Sequence, residues 1–593
     1  MALNILGISA HYHDAACCLL RDGELIAAAE EERFSRVKHD ARLPWQAFRF
    51  CLEQGGITLA DVDCVAYYEN PEKKLSRQIW MALHPESSPT LRQKVLSLLP
   101  DRVGRVERQI RHMLGYTGRL ETFDHHHSHA ASSFFYSGFE EAAVLTVDGV
   151  GEWATTTFGR AAGSVIDLFE EVHFPSSLGL LYSTLTSYLG FDVNDGEYKV
   201  MGLAPYGAPR YVEQVRALVT RREGGQYRLN LEYFDFLQRD QMYSDRLIEL
   251  FGAPPRMPES ELLAFHQDVA RSVQQVLEEI LLDEVIYLHS RVPSRNLCMA
   301  GGVALNCVAN SCILRDGPFA ELFVQPAASD AGGCLGAAAL AHVRLTGERP
   351  AQGRLTHMYW GPATPVDDIA GLLAGTSRHA LDHRGRLEGL LEATVDRLAA
   401  GKVVGWFQGR MEFGPRALGA RSILADPRHE GMRDRINALV KMRESFRPFA
   451  PAVLARQAGE HFAIDHASPF MLETCPVSSP FDLPAITHVD RSARLQTVDP
   501  ESSPRFAALL ARFADRTGCP VLLNTSFNMR GEPIVCTPED ALLCFARSGI
   551  DALVLEDFII DRESVPPAWW NEMVRRSRPA AAAGVGHKVY TLL

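Results

Sequence analysis

Ala142-Ala143-Val144-Leu145-Thr146-Val147-Asp148-Gly149-Val150-Gly151-Glu152 decides how this chain reads. A short apolar run that breaks at a carboxylate and a glycine turn is a buried strand with a functional group at its end. The chain resumes as a strand at Ala154-Thr155-Thr156-Thr157-Phe158-Gly159, and again at Val165-Ile166-Asp167-Leu168-Phe169. The same plan opens the sequence. Asn4-Ile5-Leu6-Gly7-Ile8-Ser9 is a strand, and a turn holding His11, His13 and Asp14 follows it. Ala15 to Leu20 is the next strand, and Arg21-Asp22-Gly23-Glu24 turns into Leu25 to Ala29. Two strand–acidic turn–strand units about 130 residues apart predict a duplicated α/β domain whose halves face each other across a nucleotide cleft. That is the plan of the actin, sugar-kinase and Hsp70 superfamily (ASKHA, ribonuclease-H-like).

Just upstream lies Asp124-His125-His126-His127-Ser128-His129-Ala130-Ala131-Ser132. Histidines four apart share a helix face and can bind one ion, to which Asp148 adds a carboxylate. The alternative is a polar helix start with solvated histidines. A second strand-end aspartate, Asp330, tips the reading to a metal site. Residues 261–292 show long helical periodicity. The strand Asn296-Leu297-Cys298-Met299-Ala300 meets Gly301-Gly302-Val303-Ala304-Leu305-Asn306, and Leu322 to Pro326 leads to Ser329-Asp330-Ala331-Gly332-Gly333 and an Ala-rich helix. Both are strand–glycine turn–helix units, where bare amides and a helix N-terminus can approach a phosphate or adenosine. Neither is G-x-G-x-x-G or a Walker A loop.

The 593 residues suffice for two to four domains; 46% are hydrophobic and 22% charged, as in a globular protein. A net charge of −13 argues against a nucleic-acid backbone as the main partner, so an anionic substrate must be caught by a few placed Arg and Lys. Twelve scattered cysteines without a C-x-x-C exclude a zinc finger or a secreted disulfide framework, and predict reduced thiols in a cytoplasmic protein. No signal peptide and no membrane span are expected.

From about 345 to 385 the chain is Gly/Pro-rich and less regular, and the boundary between two large domains is expected there. A second α/β region follows, then a tail. This second region holds Gly414-Pro415-Arg416-Ala417-Leu418-Gly419-Ala420-Arg421, and further on Lys441-Met442-Arg443-Glu444-Ser445-Phe446-Arg447. Each cation read alone fits a solvated face, but so many among Gly, Pro and aromatics predict an anion pocket. Asn524-Thr525-Ser526-Phe527-Asn528, after the strand Val521-Leu522-Leu523, adds amide and hydroxyl donors.

Taken together, these motifs resemble the NodU/CmcH family of carbamoyltransferases, over roughly residues 3–560 and in order. Further stretches carry the match: His13-Asp14-Ala15-Ala16, the run Glu31 to Asp40, Lys199-Val200-Met201-Gly202-Leu203-Ala204 and Asn524 to Val535. The resemblance implies an actin-like carbamoyltransferase domain over 1–350, similar to that of the tRNA threonylcarbamoyladenosine transferase. It implies a YrdC-like α/β domain over 385–565 and a C-terminal tail over 566–593. The implied reaction turns carbamoyl phosphate and ATP into carbamoyladenylate, then passes the carbamoyl group to a hydroxyl of a small natural-product acceptor, releasing AMP.

Carried over, the metal ligands would be His125, His129, Asp148 and Asp330, a set that suits Fe²⁺ and accepts Mn²⁺ or Zn²⁺. The fuller histidine run leaves a one-residue shift of register open, although only His125 and His129 pair at four. Gly301, Gly302 and Asn306 would line the adenosine, and Lys199 would contact an anion or lie on the surface. His13 would be the general base on the acceptor, or else a histidine that fixes the turn. Lys441, Arg447 and Arg494 would grip carbamoyl phosphate, with Ser526 and Asn528 beside them. Arg416 and Arg421 would hold ATP phosphates with Mg²⁺. A homodimer is compatible with this reading.

Three rivals remain. A tRNA threonylcarbamoylation enzyme would need a basic surface, and a hydrogenase-maturation carbamoyltransferase would need a Cys₄ zinc module. An actin-like ATPase switch would leave the metal ligands without a role. The acceptor is not readable; residues 68–122 and 205–255 carry no motif and are expected to shape its pocket.

Overall fold

The computed structural model describes residues 2–566 except 86, 103, 239–240, 377–378, 442–443 and 445, together with 569 and 590. The expected tail over 566–593 thus falls almost wholly outside the described residues. The chain forms two compact units. The first takes residues up to Glu31, His39–Leu355 and Tyr590; the second takes Glu32–Lys38 and the other described residues from Thr356 onward. No helix among the described residues is long and apolar enough to cross a membrane.

In the first unit, β1 (Asn4–Ser9), β2 (Ala16–Arg21), β3 (Glu24–Glu30), β4 (Cys64–Tyr67) and β5 (Arg119–Thr122) form one sheet, ordered β3-β2-β1-β4-β5. Strands β6 (Glu141–Val147), β7 (Ala154–Ala162), β8 (Val165–His173), β9 (Asn296–Ala300) and β10 (Glu321–Val324) form a second, ordered β10-β9-β6-β7-β8. In each, three antiparallel strands are extended by two parallel ones. The sheets match strand for strand, so the duplication expected from sequence is present. All six residues of β1 are buried, which is why it reads as a continuous apolar run without alternation.

A helix follows the last strand of each sheet: α1 (His125–Phe134) after β5, and α2 (Asp330–Thr346) after β10. Their N-termini carry His125 and Asp330. The helices cross closely because α2 is lined with small residues; a Cβ at Gly336 would lie 1.8 Å from the Ser128 carbonyl oxygen. At the end of β9, Gly301 takes φ 97°, and a Cβ there would lie 2.2 Å from the Val147 carbonyl. Glycine at that point lets the ends of β6 and β9 close on each other, which delivers Gly302 to Asp148.

The second unit is built on eight strands, the central ones being β11 (Val404–Phe407), β12 (Arg421–Ala425), β13 (Ala450–Leu454), β14 (Val521–Ser526) and β15 (Ala552–Leu555). Their side chains alternate between two cores. Val404, Trp406, Leu424, Leu522 and Val554 face one, while Phe407, Ile423, Val453, Leu523 and Leu553 face the other. The first core is closed by α3 (Leu387–Ala399) and α4 (Pro504–Thr517), through Leu390, Leu391, Val395 and Leu398, and Phe506, Leu509, Leu510 and Phe513. Those spacings put each set on one helix stripe.

Two expectations need correction. The 345–385 stretch is more regular than its Gly and Pro content implies, since it holds a helix at Val366–Thr376 and a strand at Ala380–Asp382. The second unit also takes an N-terminal piece. Arg33 Nη2 donates to the Gly414 carbonyl at 2.9 Å, and Arg36 donates to the carbonyls of Ile534 at 2.7 Å and Pro533 at 2.8 Å.

Candidate metal and catalytic centre

The first turn of α1, the end of β6 and the first residue of α2 bring four side chains together. His125 and His129 are fully buried, and Asp148 and Asp330 nearly so. His125 Nε2 lies 3.0 Å from Asp148 Oδ2 and 3.6 Å from Asp330 Oδ1. His129 Nε2 lies 3.6 Å and 3.7 Å from the same atoms, and 3.0 Å from His125 Nε2. All four donor atoms fall within 4.8 Å of one another.

Two facing Nε2 atoms 3.0 Å apart can share only one proton, one ring donating and the other accepting. With hydrogen on both, the hydrogens collide; with lone pairs on both, the lone pairs repel. The Nδ1 atoms of both rings are buried and make no hydrogen bond among the described residues. A divalent cation inside the four atoms would use both lone pairs and balance both carboxylates, so the residues fit a first-row metal. The electrostatics point the same way. Burial alone would raise the Asp148 carboxyl, but the hydrogen bonds and charge of His125 and His129 hold it well below the usual range. Burial lowers His129, yet bonds to Asp148 and Asp330 lift it to about 9. The carboxylate pair demands positive charge, from protons or from a metal.

His126 turns the other way, with Nδ1 2.6 Å from Thr146 Oγ1, and His127 is only half-buried. The ring pair in the cluster is therefore His125 with His129. Gly302 N donates to Asp148 Oδ1 at 2.9 Å, so Gly302 braces the carboxylate. Asn306 caps a helix at Cys307–Asp316 and exchanges bonds with Gln274, which occupies its amide. Lys199 is buried, with Nζ 5.6 Å from the Phe191 ring centre. His13 sits in the β1–β2 turn with Nδ1 2.8 Å from Asp14 Oδ2. Burial lowers its imidazole, but Asp14 outweighs that and lifts it above the usual value.

In the second unit Lys441, Ser526 and Asn528 meet. Lys441 Nζ donates to Ser526 O at 2.5 Å and Oγ at 3.1 Å, and to Asn528 O at 3.1 Å and Oδ1 at 2.7 Å. Arg447 lies 3.7 Å from Glu444 and is half-buried, as are Arg416 and Arg494. Arg421 is more enclosed than the half-buried arginines. It is fully buried, its guanidinium sits 3.5 Å over the Phe407 ring, and it donates to the carbonyls of Gln408, Gly409, Ala420 and Pro362. An irregular Gly/Pro-rich segment leaves carbonyls without strand partners, and a five-donor guanidinium satisfies them.

Several residues at the centre escaped the sequence reading. Glu152 accepts from His125 N at 2.9 Å and Asn70 N at 2.6 Å, fixing the start of α1; burial pushes its carboxyl up to about 7. Tyr68 donates to Asp330 Oδ2 at 3.3 Å. The phenol of Tyr590 reaches the same turn, since a Cβ on Gly149 would lie 2.0 Å from it. A second group, His13, Asp14 and His39, also has its donor atoms within 4.8 Å. Glu152 and His39 stand inside quoted motifs, but nothing in the sequence marked their roles. A cavity of about 310 Å³ in the same unit is lined by Trp80, His84, His173, Arg222, Tyr227 and Arg228 among others, drawing on both motif-free segments.

Comparison with known proteins identifies the chemistry. The family profile described as "Carbamoyltransferase N-terminus" matches residues 4–339, and "Carbamoyltransferase C-terminus" matches 395–562. The chain is 45% identical to the uncharacterized protein sll1178 of Synechocystis over 95% of its length and 97% of that protein. It is 39% identical to the nodulation protein NolNO of Sinorhizobium fredii, over 95% of this chain and 81% of that one. The 3′-hydroxymethylcephem-O-carbamoyltransferase of Amycolatopsis lactamdurans is 37% identical over 44% of this chain and 48% of its own. With both halves of the family matched in order, the chain is an enzyme of the carbamoyltransferase family, in the NodU/CmcH group that its motifs resemble.

Proposed function

We propose that the protein is an ATP-dependent O-carbamoyltransferase that works through carbamoyladenylate, with an actin-like first unit and a YrdC-like second one. The observation that carries the reading is the buried His125–His129–Asp148–Asp330 cluster in a chain whose family transfers carbamoyl groups. The second unit would make the donor. Carbamoyl phosphate loses phosphate to water, and a carbamate oxygen then attacks the α-phosphorus of ATP as pyrophosphate leaves, with Mg²⁺ on the nucleotide. Lys441 would hold the anion against Ser526 and Asn528, with Arg416, Arg447 and Arg494 supplying further charge.

Transfer would take place in the first unit. A bound metal, Fe²⁺ best matching two imidazoles and two carboxylates, would act as a Lewis acid toward the adenylate phosphate. Gly302 N and Tyr68 Oη hold the two carboxylates in place, and Glu152 fixes the backbone of His125. His13 would take the proton of the acceptor hydroxyl as that oxygen attacks the carbamoyl carbon and AMP departs. The acceptor is proposed to be a small hydroxylated molecule, by analogy with the 3′-hydroxymethylcephem for which the Amycolatopsis relative is named.

The test is phosphate and pyrophosphate release from purified protein given ATP and carbamoyl phosphate, against ATP alone. Both products in equal amounts, dependent on carbamoyl phosphate, support the reading; ADP as the product overturns it. Lys441→Met should reduce pyrophosphate release by roughly 10²-fold or more, because it removes a fixed cation aimed at the reacting anion, while leaving metal content unchanged.

A further inference from the structure

Asp14 lies in the turn between β1 and β2, and its two oxygens are divided among three partners. Oδ2 meets His13 Nδ1 at 2.8 Å and accepts from Ser329 Oγ at 2.9 Å, while Oδ1 meets His39 Nδ1 at 2.7 Å. Asp14 and His39 both hold left-handed backbone, at φ 47° and 54°, which residues with a Cβ rarely adopt without a reason. The turn is stitched to the segment that carries His39. His11 N donates to Ala41 O at 2.7 Å, and Ala15 N donates to Asp40 O at 3.0 Å.

An ionised carboxylate only accepts hydrogen bonds, so each facing Nδ1 carries the hydrogen. A neutral imidazole has one N–H, so this leaves the lone pair of His13 on Nε2. His13 Nε2 is buried and makes no hydrogen bond among the described residues. The His39 ring stacks on His13 with centres 4.4 Å apart, and its Nε2 lies 3.5 Å from Asp195 Oδ1.

We propose that Asp14 is the positioning residue of carbamoyl transfer: it selects the His13 tautomer whose Nε2 lone pair receives the acceptor proton. Ser329 and His39 hold the carboxylate in turn. The inference rests on the transfer reading above. In the step, the acceptor O–H proton passes to His13 Nε2 and the acceptor oxygen bonds to the carbamoyl carbon. The bond from that carbon to the adenylate oxygen breaks, AMP leaves with the electron pair, and Asp14 takes up no proton. The charged groups that face His13 are Asp14, His39 and, more distantly, Asp330; Asp195 faces His39.

Asp14→Asn is the decisive variant, because an amide keeps the shape but can accept from only one of two imidazole N–H groups. In protein labelled with ¹⁵N-histidine, the His13 signals are assigned by their loss in His13→Asn. At alkaline pH, where the imidazole is neutral, wild type should show an unprotonated Nε2, and Asp14→Asn should lose that single tautomer. With 3′-hydroxymethylcephem as the acceptor probe, kcat should fall roughly 10²–10⁴-fold, the range of general-base catalysis, with acceptor KM within about twofold. Pyrophosphate release should hold, and Asp14→Asn should cost nothing further in a His13→Asn background. The proposal fails if the His13 tautomer is unchanged in Asp14→Asn, if the two losses multiply, or if the variant loses an equivalent of bound metal. Wild type that carbamoylates nothing counts against the transfer reading instead, and the histidine spectrum still decides this one.

Discussion

Two clusters in the first unit are made of the same residue types and are wired in opposite ways. In the His125–His129–Asp148–Asp330 cluster the Nε2 atoms turn inward, 3.0 Å apart, and the Nδ1 atoms have no hydrogen-bond partner among the described residues. In the His13–Asp14–His39 cluster the Nδ1 atoms are bonded to one carboxylate, and His13 Nε2 is the atom left over. Converging lone pairs suit a metal ion, whereas a shared carboxylate fixes tautomers and suits a proton acceptor. Ring orientation, which no count of His and Asp reveals, separates the two.

The largest expected effect breaks the first arrangement. His129→Ala removes one ligand, so bound metal should fall from about one equivalent to near none, and transfer should fall roughly 10³-fold with the loss of Lewis-acid stabilisation. Chelation should lower the melting temperature of wild type, because metal binds only the folded state, and should leave that of His129→Ala unmoved. Metal analysis and calorimetry with and without chelator check both. Equal metal content in the two proteins would dissolve the contrast between the clusters.

A smaller effect is expected from Glu152→Gln, which leaves all four ligands in place. The carboxylate caps the first turn of α1 through His125 N, with its two oxygens 2.9 and 3.1 Å away. An amide turns a donor toward one of the N–H groups it must accept from, so His125 should shift. Metal affinity should weaken roughly 10–100-fold, as for other groups that orient ligands, and competition with a chromophoric chelator reads it directly. An unchanged affinity would mean that the ligand pair alone sets the site.

The two clusters were unequally legible. His125 and His129 are four residues apart, so local periodicity pairs them without any knowledge of the fold; Asp148, 23 residues away, was marked only by its place at a strand end. Asp14 and His39 are 25 residues apart, and they meet because two turns in left-handed backbone zip together. No sequence period reports such a contact. Glu152 to His125 and Tyr68 to Asp330 span 27 and 262 residues, and are invisible for the same reason. Arg421 shows a different limit of the sequence. Cations among glycines and prolines look alike whether they await a phosphate or satisfy stranded carbonyls, and only burial tells them apart. The strand–turn–strand start of each duplicated sheet was readable because each strand carries its own apolar run and turn signal, whereas the strands at Cys64–Tyr67 and Arg119–Thr122 were not. The capture of Glu32–Lys38 by the second unit was not, since those residues continue a segment of the first.

Glu31 gives the comparison a third carboxylate and the smallest expected effect. Asp14 and Asp148 face imidazoles and are held well below the carboxylate range. Glu31 instead accepts from neutral amides, Ala47 N at 3.0 Å and Gln46 N at 3.1 Å, and burial pushes it up to about 7. Its folded value therefore lies above the unfolded one of about 4.3, and folding takes up a proton between those two pH values. The stability this group contributes is complete below pH ~4.3, is lost as pH rises through about 7, and changes little beyond. At ~1.4 kcal/mol per pKa unit the full swing, from about 4.3 to about 7, is on the order of 3–4 kcal/mol. Glu31→Gln keeps an oxygen for the amides and removes the charge. Relative to wild type it should melt slightly higher at pH 5 and clearly higher at pH 8, a difference of a few degrees for a unit this size. A gain of equal size at both pH values would show that Glu31 is ionised throughout. Its amide partners would then hold a buried carboxylate as effectively as the imidazoles hold Asp14, and the distinction between the clusters would rest on geometry alone.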